Sequence, residues 1–178
     1  MDRLRWGAWI VVTLVGGSTL ALAAENLRVV PLVRDDAVLV SFELPDAYNA
    51  DVRETISAGL ETTFTYNVDL RQVVRFWVDR TVATAVVSVT NSYDNLTGRH
   101  SLTRRVDGRV VDAVVTQDEE TVRQWLTTLD RLPLCRTVRL EANRDYYVRV
   151  SARGRPNGES MLGLASAFSG QAGFTFVP

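Results

Sequence analysis

From Leu27 onward the chain is ruled by alternating apolar and polar positions, the period of a strand with one dry face and one wet face. The clearest run is Leu60 to Arg71. Thr62, Phe64, Tyr66, Val68 and Leu70 take one side, and Glu61, Thr63, Thr65, Asn67, Asp69 and Arg71 take the other. Before it, an apolar run from Leu27 to Val33 is followed by Val38, Val40, Phe42 and Leu44 alternating with Leu39, Ser41 and Glu43. After it, Val82 to Tyr93 groups Ala83, Ala85, Val87 and Val89 on one face. Asp94-Asn95-Leu96-Thr97-Gly98 breaks the pattern, and Arg99 to Val106 resumes it. Asp107-Gly108 then supplies the two-residue turn that tolerates positive φ, and Arg109 to Val115 returns with Val111, Ala113 and Val115 expected inward. Three strands joined by two short turns make an antiparallel meander. Tyr146 to Arg153 alternates again, and Phe174 to Val177 reads as a short last strand.

Two segments switch to helical spacing. Asn49 to Gly59 is a short helix stopped by its glycine. In the second, Thr116-x-x-Glu119 fits a capping box, and Asp118, Glu119 and Glu120 suit the positive end of the helix dipole. Val122, Trp125, Leu126 and Leu129 then form one apolar stripe, Arg123, Gln124 and Thr127 face away, and Pro133 closes the segment. The fold class expected is mainly β: an antiparallel immunoglobulin-like β-sandwich with two short helices. No repeat, low-complexity tract or linker divides residues 24–178, so they are expected to form a single β-rich domain.

The first residues follow a different rule. Arg3 and Arg5 precede an apolar stretch from Trp6 to Val15, Gly16-Gly17-Ser18-Thr19 loosens it, and Ala21-x-Ala23 gives a small-x-small cleavage pattern. Residues 1–23 therefore read as a signal peptide, with an uncleaved anchor as the alternative. The expected location is periplasmic or on the outer face of the inner membrane.

Composition removes chemistry more than it adds any. All 20 basic residues are arginine, against 21 acids and a formal net charge of −1. Without lysine there is no Schiff-base or Walker-type lysine, and the balanced charge argues against nucleic acid as a partner. One His (His100) and one Cys (Cys135) cannot make a His/Cys zinc site or a CxxC pair within the chain. No metal or cofactor is implied. Cys135 is expected to be a packed thiol, with an intermolecular disulfide as the other reading.

Several residues carry candidate chemistry. His100 shares its strand face with Leu102, so it is expected half-buried; a general-base role would need a carboxylate and a nucleophile converging on it. Gly158-Glu159-Ser160-Met161-Leu162-Gly163 falls one residue short of a nucleophile elbow. Arginines concentrate at Arg99, Arg104, Arg105 and Arg109, and again at Arg144, Arg149, Arg153 and Arg155. Such clusters are either solvated sheet faces or anion-recognising surfaces, because guanidinium offers paired donors to carboxylate or phosphate. The connection from Pro156 to Gly173 is long for a compact domain, and Met161, Leu162, Ala165 and Phe168 sit on it at near-helical spacing. Arg99, Arg104, Arg105, Arg149, Met161, Leu162 and Phe168 are thus the candidate binding residues, with 158–173 or an uncleaved N-terminus as the route to membrane contact. Trp77 is expected in the core.

The order of motifs carries a resemblance. Arg75-Phe76-Trp77-Val78-Asp79-Arg80, then Tyr93-Asp94-Asn95-Leu96-Thr97-Gly98-Arg99 on a hairpin, then the capped helix with Trp125 and Leu126, and the ending Phe174-Thr175-Phe176-Val177-Pro178 resemble an exported bacterial family of unknown function, domain family 4390. His100 stands where the resemblance leads one to expect an aromatic such as Tyr, and 158–173 lacks the tryptophans of some relatives. The resemblance implies export and a β-rich fold and transfers no catalytic residue. In some relatives the gene lies near that of a membrane sensor kinase, which points to an envelope protein, a sensor kinase among the candidates, as partner. The expected function is a non-enzymatic protein-binding or regulatory module of the cell envelope. The alternatives are an envelope hydrolase using carboxylates or His100, and a lipid- or glycan-binding module, which would display aromatics such as Trp77 and Tyr93.

Overall fold

A computed structural model describes residues 27–156 and 167–177. Residues 1–23, Ser160, Met161 and Leu162 lie outside them. The strands are β1 (Arg28–Arg34), β2 (Ala37–Glu43), β3 (Thr62–Gln72), β4 (Arg80–Asp94), β5 (Arg99–Val106), β6 (Arg109–Thr116), β7 (Thr128–Arg136), β8 (Arg144–Pro156) and β9 (Ala167–Phe176). Helices α1 (Ala50–Ser57) and α2 (Glu119–Thr127) interrupt them. The chain is mainly β, with two antiparallel sheets ordered β1-β2-β7 and β6-β5-β4-β3-β8-β9.

The sheets meet through the faces that alternation selects. Val38, Val40 and Phe42 of the small sheet and Phe64, Tyr66, Val68, Leu70, Val87 and Val89 of the large one are all buried. Phe42 and Tyr66 pack across the interface with ring centroids 4.7 Å apart. The Tyr66 hydroxyl donates to the Leu126 carbonyl at 2.5 Å, which ties α2 to the large sheet, and burial pushes its pKa up. A bulge in β4 opposite Leu70 and Arg71 leaves Val82 unpaired with β3, so the successive residues Val82 and Ala83 are both buried.

Four expectations are corrected. Helix α2 begins two residues later than the capping box proposed: Asp118 is the N-cap, its carboxylate accepting from the Thr121 backbone N–H at 2.9 Å, while Thr116 Oγ1 accepts from the Asp118 N–H. The helix ends at Thr127, which is buried and donates to the Arg123 carbonyl, and Leu129 belongs to β7. Pro133 sits inside that strand, tolerated because β7 is an edge and its register slips there. The valines Val111 and Val115 of β6, with Ala113, are exposed, since nothing packs on that side of this edge strand. The last strand starts at Ala167, so Phe168 is a strand residue paired with Ala152 and packed against the core.

Gly170 lies on β9, the edge strand of the large sheet against which β1 packs. A Cβ there would lie 2.3 Å from the Leu27 carbonyl oxygen, so only glycine lets the start of the domain pass against β9. Among the described residues no helix is long and apolar enough to cross a membrane.

Candidate binding site

The connection between β3 and β4 carries three strongly exposed apolar side chains in succession. Phe76 is fully exposed, Trp77 is 82% exposed and Val78 74%, which corrects the expectation of Trp77 in the core. The apolar tip is held by its polar neighbours. Asp79 folds back so that its carboxylate accepts from the Val74 N–H at 3.2 Å and from the Tyr147 hydroxyl at 2.9 Å. Those two donors, the tyrosine first, hold the Asp79 carboxyl below the usual carboxylate range. Arg71 donates to the Asp79 carbonyl, and the Val73 N–H donates to the Asp145 carbonyl at 2.9 Å. The Trp77 N–H closes a turn on the Val74 carbonyl.

Phe76 has φ of 64°, in the left-handed region where a side chain with Cβ is strained. Glycine or asparagine would satisfy that turn more cheaply, and neither would expose an aromatic ring. Phe76 therefore costs the fold twice and contributes no packing to it. Residues held in such sparsely populated backbone regions cluster at functional and ligand-contacting sites.

Arginines ring the tip. Arg75 is exposed beside Phe76, and Arg80 donates to Glu141 at 2.9 Å. Glu141 also accepts from Gln72 at 3.2 Å and pairs with Arg144 at 3.6 Å. Gln72, Arg75, Arg80, Glu141, Arg144 and Asp145 line most of an open cleft of about 640 Å³ behind the tip. The link between β7 and β8 comes to this end of the sheets through Glu141, and the end of β9 does so through Asn143, whose N–H donates to the Phe176 carbonyl. Both bring exposed valines, Val138 at 84% and Val177 at 71%.

The residues singled out by sequence do not gather here. Arg99, Arg105 and Arg149 occupy the outer, Ser- and Thr-rich face of the large sheet, with β5 and β8 three strand spacings, about 14 Å, apart. Arg149 also reaches over the Tyr147 ring, at 5.6 Å from its centroid. Arg104 points inward. It stacks 4.3 Å from the Trp125 ring centroid and donates to the Trp125 and Thr128 carbonyls, capping the end of α2, and desolvation lowers its pKa. Phe168 packs on the core, and Met161 and Leu162 lie outside the described residues.

His100 is half-buried, as its spacing implied. Its ring lies 4.5 Å from that of Tyr93, and Nδ1 is 3.2 Å from the Asn91 amide oxygen. Burial lowers its pKa, partly opposed by Glu119. The amide contact fixes the orientation of the ring. Cys135 is half-buried and forms no disulfide among the described residues; burial raises its thiol pKa. Among the described residues no three His, Cys, Asp or Glu side chains are placed to hold a metal ion.

The hairpin tip was missed because Phe76-Trp77-Val78 looks like a core strand by hydropathy. The signal that marks it as a turn is its place between two alternating runs, with Arg75 on one side and Asp79-Arg80 on the other. Fold and site together define an antiparallel β domain that presents a braced apolar hairpin. The profile of the domain of unknown function family 4390 matches residues 21–156, and the chain belongs to that family. No curated protein and no solved structure matches it significantly.

Proposed function

We propose that this chain is a non-enzymatic binding module of the cell envelope, exported by its N-terminal segment, whose contact surface is the β3–β4 hairpin end. One observation carries the reading: Phe76, Trp77 and Val78 are exposed on a turn that Asp79, Val74 and Tyr147 brace from behind. A contiguous apolar patch on a rigid support marks an interaction site, because water penalises it in the free protein.

The test is photo-crosslinking in intact cells. A benzoylphenylalanine placed at position 77 is expected to yield adducts with another envelope component. The same probe at position 65, on the polar outer face, serves as the control. Position 77 giving no adduct above that control would refute the proposal.

A further inference from the structure

The geometry points to the surface of an anionic lipid bilayer as the occupant of the hairpin end, with Phe76, Trp77 and Val78 entering the interfacial layer and Arg75 and Arg80 meeting lipid phosphates. The inference rests on the reading of this end as the contact surface and names what it contacts.

Three features favour a bilayer over a folded partner. The apolar groups sit on a convex turn, with further exposed valines, Val138 and Val177, carried by the segments that join the same end of the sheets. A protein pocket accepts one such anchor, whereas a lipid interface accepts several from one protruding end at once. Trp is enriched at the headgroup layer, where its apolar ring and its N–H are both satisfied, and Phe beside it serves as an apolar anchor.

Charge agrees. Of the acids at this end, Asp79 is turned into the loop by Val74 and Tyr147, Glu141 is engaged by Gln72, Arg80 and Arg144, Asp145 accepts from Thr175 and Asp35 pairs with Arg34, which leaves the exposed Asp36 beside Val138. Arg75 has no ion pair among the described residues and stands next to Phe76. Its planar fork suits phosphate oxygens. Juxtaposed apolar and guanidinium groups are the combination that anionic membranes reward, since burial and attraction to lipid charge act together.

The full chain carrying Trp6→Phe and Trp9→Phe emits from Trp77 and Trp125 only. It is mixed with vesicles of phosphatidylethanolamine and phosphatidylglycerol, and with vesicles of phosphatidylcholine alone, each also prepared with brominated acyl chains. The expected result is a blue shift and bromine quenching with the anionic vesicles. Phe76→Ser/Val78→Ser, which changes only exposed side chains, is expected to weaken this at least about tenfold. Arg75→Gln/Arg80→Gln should weaken binding and flatten its dependence on salt. Any contact made by the N-terminal segment is common to all variants, so only differences between them are read. No quenching with either vesicle, or quenching untouched by Phe76→Ser/Val78→Ser, overturns the inference. Equal quenching by phosphatidylcholine, whose phosphate is balanced by its choline, overturns the anionic preference. Position 77 crosslinking in cells while vesicles fail would remove the bilayer and leave the contact surface standing.

Discussion

Tyr66 is the residue on which the two layers and a helix converge. Its ring meets Phe42 across the interface and its hydroxyl donates to the Leu126 carbonyl, in a site from which water is excluded. Tyr66→Phe keeps the packing but leaves that carbonyl without its donor, which costs about 1–3 kcal/mol. Urea unfolding should show this as a lower midpoint with an unchanged slope. Gly170 is a second single-residue constraint. Gly170→Ala pushes a methyl against the Leu27 carbonyl, and a backbone oxygen cannot swing away. The expected loss is at the upper end of roughly 1–3 kcal/mol. Gly170→Ser should be destabilised at least as much in the same urea unfolding, and a stable Gly170→Ala protein would show that β1 can lift from β9 freely.

The hairpin between β3 and β4 shows how an element can be shaped for something other than its own stability. Asparagine tolerates the left-handed backbone that Phe76 adopts, and the Phe76 ring packs on nothing. Phe76→Asn should therefore leave stability unchanged or raise it by up to about 1 kcal/mol, while contact through this end is lost. A destabilised Phe76→Asn protein would instead mean that the ring supports the fold. Most elements were legible in sequence because a single layer of contacts decides them: β3, with Thr62 to Gln72 alternating without a break, needs only one dry face. Those that were missed depend on neighbours far away in the chain. Leu129 continues the helical stripe of Val122, Trp125 and Leu126, yet β2 recruits it into β7, where it pairs with Phe42. Val111, Ala113 and Val115 have the periodicity of an inner face, but β6 is an edge whose outer side no element covers. Period reports which residues share a face; it does not report whether that face is covered.

At the scale of the whole molecule, the groups whose pKa is lowered in the acid range, four carboxylates and His100, all push stability the same way with pH. Asp79, Asp94, Asp118 and Glu120 are each held below their ordinary range by hydrogen bonds, Glu120 down to about 2 by Arg123 and Gln124. For these, stabilisation is present above the unfolded pKa and is lost as pH falls through the folded value, so their window lies below about pH 4.5. His100 extends the effect to milder acid. Burial lowers its pKa in the fold, with Glu119 opposing, while Asn91 and Tyr93 on β4 offer no charge to an imidazolium. The unfolded chain therefore takes up the proton first as pH falls through about 6.5, and the neutral ring's contribution, whole above that pH, declines as pH drops toward the folded pKa. The carboxylates titrate lower, and the Cys135 thiol, raised by burial, titrates higher, so from pH 8 to pH 5.5 His100 is the side chain that should set the trend. Thermal unfolding across that window is expected to fall more steeply in the wild type than in His100→Gln, and both should converge in slope below pH 4.5. Parallel curves from pH 8 to pH 5.5 would show that the ring charges in the folded protein as readily as in the unfolded one, and that its place beside Asn91 and Tyr93 is no drier than the surface.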